Sequence, residues 1–500
     1  MRGGRCWTAT LLATWTVVSG IGCAARTASP SPSGLPGSST PSAAAASTSE
    51  RLAAVFDAAA DASIWSALFV RGDTGEVLYA RNPDQRLLPA SNMKLVTLAA
   101  AVQRLGWTHR FETTIWAQAP ASDGSVHGSL YVKGSGDPTL GWPTDLAMPT
   151  LREWARALRA QGVVRVEGDL VGDADAYGMD RLGDSWAWND LPYAYAAPYA
   201  GLTFHENTVA IEVTPGVAVG DPARIVVTPA GSGLQVSHDL ATVADDGGVQ
   251  VRVDRPLGSD ALHLSGQVPL GSAPIVRYAA VPDPPLFLLQ AFRQALAAEG
   301  IEVRGGTRLG PAPEPPAQAA ERLVRVVHHS APLADVAVRF MKVSQNLYGE
   351  ALLHALTPDP TSTLSDRRVV VNDALTALGV TPLDVQVSDG SGLSRRNFIT
   401  PQTLVALLRA MASPAHRQAF RRTLPIAGVD GTLERRLVGT PCTARVRAKT
   451  GTLSHVRALS GYIETPSGQD IVFSVLANNY LQPTSTIDAH VDRALLLLCQ

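Results

Sequence analysis

Lysine is scarce in this chain. Lys and Arg together number 42, yet lysine stands only at 94, 133, 342 and 449. Basic surface positions are therefore nearly always arginine. Cysteine is also scarce, at 6, 23, 442 and 499. Neither a CxxC pair nor an HExxH pair occurs, so the sequence gives no support for a structural or catalytic zinc site, and no cofactor or metal is expected. The G-x-S-x-G elbow of Ser-His-Asp hydrolases is missing. His205, His328, His329 and His455 are accordingly read as core or surface histidines. Net charge is only −2, which lacks the clustered basic footprint of a nucleic-acid binder.

The longest apolar stretch, about Trp7 to Ile21, follows Arg2 and Arg5. It is short for a membrane span and has the order of charged and apolar regions of an export signal. Gly22 and Cys23 resemble the end of a lipoprotein signal, in which the cysteine is lipidated; an ordinary cleaved signal is the alternative. Residues 24–50 are Ser, Pro, Ala, Thr and Gly with few charges. Such a stretch has nothing to bury and is read as a disordered linker, with a reach on the order of 30 Å. Cys442 and Cys499 are left for the mature fold. Export permits a disulfide between them, but spacing alone leaves their pairing open.

With 500 residues, two to four domains are expected. Ser66–Val70 and Val77–Ala80 flank a turn and predict a hairpin. "SNMKLVTLAAAVQRLG" (91–106) has helical spacing, with Gly106 placed to close the helix. "LREWARALRAQGVVRVEGDL" (151–170) and "FLLQAFRQALAAEGIEVRGGTRL" (287–309) both read helix, glycine, strand, glycine, an internal repeat. Between them, residues 208–280 read almost purely as strands. Residues 310–320 are a Pro/Ala-rich return linker. Helical patterns resume over 333–356 and 400–411. Strands follow at 446–452, 458–464 and 470–477, then a closing amphipathic helix from Thr484.

The rare lysines lead to the chemistry. Ser91 and Lys94 are i and i+3, so on a helix they share one face. Serine is a weak nucleophile without a base beside it. Lysine can be that base when its environment lowers its proton affinity, whereas arginine cannot. Lys342 lies just before Ser344 and Asn346, and Lys449 opens K-T-G at 449–451. S-x-x-K, S-x-N and K-T-G thus follow one another in the order described for penicillin-binding proteins and serine β-lactamases. One such short pattern is weak; three in order, with lysine this rare, are specific.

After the linker, the chain resembles a low-molecular-mass, class C penicillin-binding protein of the D-alanyl-D-alanine carboxypeptidase/endopeptidase family. The segments "RNPDQRLLPASNMKLVT", "GSGDPTL", "WAWNDLPYAYAAPYAG", "KVSQNLYGE" and "VSDGSGLSRRNFITP" carry the likeness. So does the separation of 253 positions between Ser91 and Ser344, which in that family holds a large insert. Gln345 departs from the Asp that the family often has there.

The resemblance implies an α+β multidomain fold. A penicillin-binding/β-lactamase-like transpeptidase domain (51–113 and 325–500), an antiparallel sheet flanked by helices, is interrupted by an α/β repeat domain (114–207 and 281–324). That insert itself carries a small β domain (208–280). Residues 1–23 are the signal, with Cys23 as the candidate lipidation site.

The function it implies is an exported serine-type D-Ala-D-Ala carboxypeptidase of the cell envelope, with endopeptidase activity as an extension. Peptidoglycan peptides would be the substrate and β-lactams covalent inhibitors, with a membrane tether if Cys23 is lipidated and no nucleic-acid partner. A β-lactamase or esterase, or a penicillin-binding wall sensor without turnover, are the alternatives.

The catalytic set implied is Ser91, Lys94, Ser344, Asn346 and Lys449. Thr450, Gly451 and Thr452 would hold the substrate carboxylate, with backbone N–H groups of Ser91 and Thr452 as an oxyanion hole. Asp190, Tyr195 and Arg395 would bind the zwitterionic end of a diamino-acid side chain, with Ser391 and Arg395 at the cleft rim. Which lysine performs which proton transfer stays open.

Overall fold

The computed structural model describes residues 46–59, 63–143, 147–178, 180–229, 234–313 and 323–500. The candidate signal and Cys23 lie outside the described residues, as does most of the 24–50 linker. Residues 47–50 differ from the linker reading. Ser47 and Glu50 form a reciprocal capping box that starts the helix Thr48–Asp57. Two backbone N–H groups are satisfied at once there, enough to begin a helix in a polar stretch.

The hairpin Ile64–Arg71 and Val77–Arg81 joins three strands from the far end of the chain. The antiparallel order is Val446–Leu453, Val456–Glu464, Asp470–Asn478, Ile64–Arg71, Val77–Arg81. Both faces are covered, so "IWSALFVR" is mostly apolar rather than alternating, with the buried Ser66 hydroxyl donating to the Asn82 carbonyl. Trp65, Ala67 and Phe69 pack with Leu52, Phe56, Ile487, Val491 and Leu495 of the first and last helices. Leu68 and Val70 point the other way, into a helical core with Leu95, Leu98, Leu404 and Leu408. Cys442 and Cys499 are bonded to each other, with Cα atoms 5.3 Å apart. The bridge ties the end of the last helix to the approach to the K-T-G strand.

A second core is built from the middle of the chain. Its five-stranded sheet runs Thr307–Leu309, Leu170–Asp173, Leu130–Gly134, Glu112–Gln118, Leu323–His329. The two echoed segments give helices Ala147–Ala160 and Pro284–Ala298, which meet through Trp154 against Phe292. Their following strands pair in parallel, Arg165–Val166 with Glu302–Val303 and Leu170–Asp173 with Thr307–Leu309.

Residues 208–280 form strands as read, around Thr208–Thr214 and Leu262–Pro269. They do not close a core of their own: Val209, Ile211, Leu262 and Leu264 join the core of the repeat unit. The chain passes between the first and second cores on paired strands. Phe111 and Ser330 fasten that stem by bonds in both directions.

Two local departures bear on the site. The helical pattern over 333–356 is two helices, Leu333–Lys342 and Asn346–Ala355. Ser344 sits between them at φ 63°, and the Gln345 side chain accepts from Leu347 N to start the second helix. The helix carrying Lys94 runs Met93–Leu105 and ends at Gly106 (φ 81°), as its spacing predicts. Among the described residues, no helix is long and apolar enough to cross a membrane.

Candidate active site

Six separate stretches, at 91, 185–195, 344–346, 392–395, 432 and 450–454, converge on one cleft of about 400 Å³. Ser91, in a single tight turn just before the helix Met93–Leu105, lies on its wall. Lys94, three residues on, is fully buried beneath it. Its Nζ is 2.8 Å from Ser91 Oγ, 2.6 Å from Asn346 Oδ1 and 2.7 Å from the Ser391 carbonyl. Burial lowers the pKa of Lys94 to about 7, opposed by Asp389 and Glu350. An amine with that proton affinity, at hydrogen-bond distance from a serine hydroxyl, can take the hydroxyl proton near neutral pH.

A second lysine–serine pair stands on the other side. Lys449, on the strand Val446–Leu453, is also fully buried. It donates to Ser344 Oγ and to the Thr450 carbonyl, each at 2.8 Å. Burial pushes its proton affinity well below the usual lysine range, and the nearby charges of Lys94 and Arg457 push it the same way. Asn346 links the site to the insert: its Oδ1 receives Lys94 and its Nδ2 donates to the Tyr195 carbonyl at 2.7 Å.

The K-T-G strand and the turn after Asp389 each approach the Ser91 turn through a glycine. A Cβ on Gly451 would stand 2.6 Å from the Pro89 carbonyl. At Gly392 (φ +86°) a Cβ would be 1.9 Å from the Ala90 carbonyl. Both glycines are demanded by close approach. Asn92 secures the junction, donating to the Lys449 carbonyl at 3.0 Å.

Of the other expected residues, Asp190, Tyr195, Arg395, Thr450 and Thr452 line the same cleft. Tyr195 donates to Asp190 at 2.9 Å, and Arg395 donates to the Ser454 carbonyl at 2.8 Å. Thr450 shares a hydrogen bond with Thr432, and Thr452 accepts from Arg457. Ser391 needs correction. It is fully buried rather than at the rim, and its carbonyl, not its hydroxyl, serves the site by holding Lys94. None of His205, His328, His329 and His455 lines the cleft.

Sequence reasoning missed several contributors. Glu350 is buried under the site, and Asp389 beside it accepts from Gly392 N, Ser394 N, Asn397 Nδ2 and Trp186 Nε1. Glu206 is paired to Arg339 and accepts from Gln345 Nε2 at 2.7 Å, which braces the turn carrying Ser344. Arg457, held by Asp488, adds a cation beside the K-T-G strand. Glu350 had one visible signal: the lone acid, at i+4 from Asn346, in a mostly apolar helix.

The D-Ala-D-Ala carboxypeptidase 3 (S13) family profile matches residues 50–495. A D-alanyl-D-alanine carboxypeptidase of Actinomadura sp. (strain R39) is 36% identical over 441 residues, covering 85% of this chain and 80% of that one. The D-alanyl-D-alanine carboxypeptidase DacB of Haemophilus influenzae is 28% identical over 429 residues, covering 84% and 86%. The crystal structure of penicillin binding protein 4 from Haemophilus influenzae is similar with a TM-score of 0.77 at 25% identity, covering 89% of this chain and 97% of that one.

Proposed function

The chain belongs to the D-Ala-D-Ala carboxypeptidase 3 (S13) family, and from that premise we propose that Ser91 is the nucleophile of a serine-type D-Ala-D-Ala carboxypeptidase acting in the cell envelope. The observation that carries this reading is the convergence of the Ser91–Lys94–Asn346 cluster and the Ser344–Lys449 pair on one cleft.

Ser91 Oγ attacks the carbonyl carbon between two D-alanines while its proton passes to Lys94 Nζ. The C–N bond then breaks. The departing amine takes a proton from Ser344, which is resupplied through its bond to Lys449. Water then attacks the ester left on Ser91, its proton passing through Ser344 to restore Lys449 while Lys94 returns its proton to Ser91 Oγ as the acid leaves. The terminal carboxylate is received by Thr450, Thr452 and the positive charge of Lys449. Asp190, Tyr195 and Arg395, which line the same cleft, suit a side chain bearing both an amine and a carboxylate. The same chemistry cuts cross-bridges if the cleft admits the longer leaving group. Export, with or without a lipid on Cys23, completes the reading, since the wall peptides lie outside the membrane.

β-Lactams present a strained amide to the same serine, and the Haemophilus influenzae relative is itself named a penicillin-binding protein. Mass spectrometry after incubation with benzylpenicillin should find one adduct, on the Ser91 peptide. Folded protein with no adduct there would remove the mechanism. The rate should also depend on pH with a definite sign. Lys94 accepts a proton only when neutral, so acylation rises as pH climbs through about 7 and falls about tenfold per unit below it. A rate flat from pH 5 to 9 would exclude Lys94 as the base.

A further inference from the structure

Lys94 is held by a two-residue turn whose backbone two helices grip. The turn is Gly390–Ser391, directly after Asp389. From the helix Met93–Leu105, Thr97 Oγ1 donates to the Gly390 carbonyl and Lys94 Nζ donates to the Ser391 carbonyl, each at 2.7 Å. From the helix Asn346–Ala355, Glu350 accepts both N–H groups, Gly390 N on Oε2 at 3.1 Å and Ser391 N on Oε1 at 2.9 Å. The fit is close: a Cβ on Gly390 would lie 2.1 Å from the Gly349 carbonyl. The three-motif reading gives Glu350 no task, although it is 1% exposed and an unpaired buried carboxyl is costly.

We propose that Glu350 is a positioning residue for the base: its carboxylate holds the Ser391 carbonyl on Lys94 and, with Asp389, supplies the counter-charge beneath the ammonium form. This deepens the reading of Lys94 as the base and rests on it. Only a carboxylate offers an acceptor to each of the two N–H groups; a glutamine would present its own N–H to one of them. Losing the charge and losing the carbonyl contact act in the same direction, since each stabilises the protonated lysine. The other charged or titratable neighbours stay in place: Asp389, Lys449, Tyr199, His354 one turn further along, and Arg367. Burial and Asp389 push the Glu350 carboxyl up, while its two N–H bonds and the Lys94 ammonium above it favour the charged form.

Because the chain has four lysines, NMR of protein labelled with 13Cε-lysine reads Lys94 directly, assigned by the signal lost in Lys94→Arg. In Glu350→Gln the titration midpoint of Lys94 should fall by about one pH unit. The acid limb of benzylpenicillin acylation should move down with it, and the plateau rate should drop roughly tenfold. An unchanged midpoint and limb, whatever the loss of stability, would overturn the proposal.

The wild type provides a check that does not depend on the variant folding. Its Lys94 curve should depart from a single-site titration, because Lys94 and Glu350 are coupled through the Gly390–Ser391 turn that both hold, and a single-site curve would equally overturn the proposal. Failure of the underlying reading is distinct: it appears as wild-type protein with no adduct on Ser91.

Discussion

Lys94→Arg should slow acylation of Ser91 by roughly 10²–10⁴-fold, the range that a positioned base contributes. Arginine keeps the positive charge but cannot release a proton at these pH values. The site also has little spare room, since Lys94 is fully buried and its Nζ already meets three acceptors. Two mechanisms, loss of the base and misfit of the guanidinium, would both lower the rate. The pH profile separates them. Misfit alone leaves a limb at pH about 7, while loss of the base removes it. Stopped-flow labelling with a fluorescent penicillin measures both, with Ser91→Ala as the variant that takes no label. A Lys94→Arg rate within about threefold of wild type would mean that another group receives the serine proton.

Removing the Cys442–Cys499 bridge should destabilise the protein by about 4 kcal/mol. The sequence separation is 57 residues, and closing a loop of that size removes roughly that much entropy from the unfolded chain. Both cysteines are buried, so alanine is a better replacement than serine, which would bring in a hydroxyl needing a partner. Chemical denaturation of Cys442→Ala/Cys499→Ala against wild type measures the loss. Reductant should lower the wild-type midpoint and leave the double variant unmoved. Equal stability with and without reductant would show that the bridge does nothing for the fold. The effect should reach the cleft, because Cys442 precedes the strand that carries Lys449 by only a few residues. Acylation by the double variant should therefore lose heat resistance before its rate at low temperature changes.

The three motifs were legible because their chemistry needs particular residue types at fixed spacings. In a chain this poor in lysine, each one stood out. The strands at 446–478 were legible from their apolar runs, and the helix after Ser91 from its spacing and Gly106. The broken helix at Ser344 was not. Both flanks have helical apolar spacing, and a single serine at positive φ leaves no mark in a periodicity. Nor was the sharing of one core between the repeat unit and the 208–280 strands. Short alternating strands show that one face is buried, but not against which partner. Ser391 was misplaced for a related reason: a turn sequence says that the chain bends, not whether its carbonyl or its side chain faces the site. Glu350 and Asp389 stayed hidden because acids normally signal surface. Only the folded arrangement shows that their acceptors meet backbone N–H groups inside the protein.

Asn346 has few hydrogen-bonding groups to share. A side-chain amide has one oxygen and two N–H bonds. The oxygen is taken by Lys94, and one N–H is spent on the carbonyl of Tyr195 in the insert. One N–H remains for whatever enters the cleft. The asparagine therefore joins the base to the wall supplied by the insert, with one donor still turned to the cleft. Aspartate would lack the two donors, serine the reach, and glutamine would overshoot by a methylene. A shift of the insert wall would be felt at the base through that one amide, without any catalytic residue having moved first.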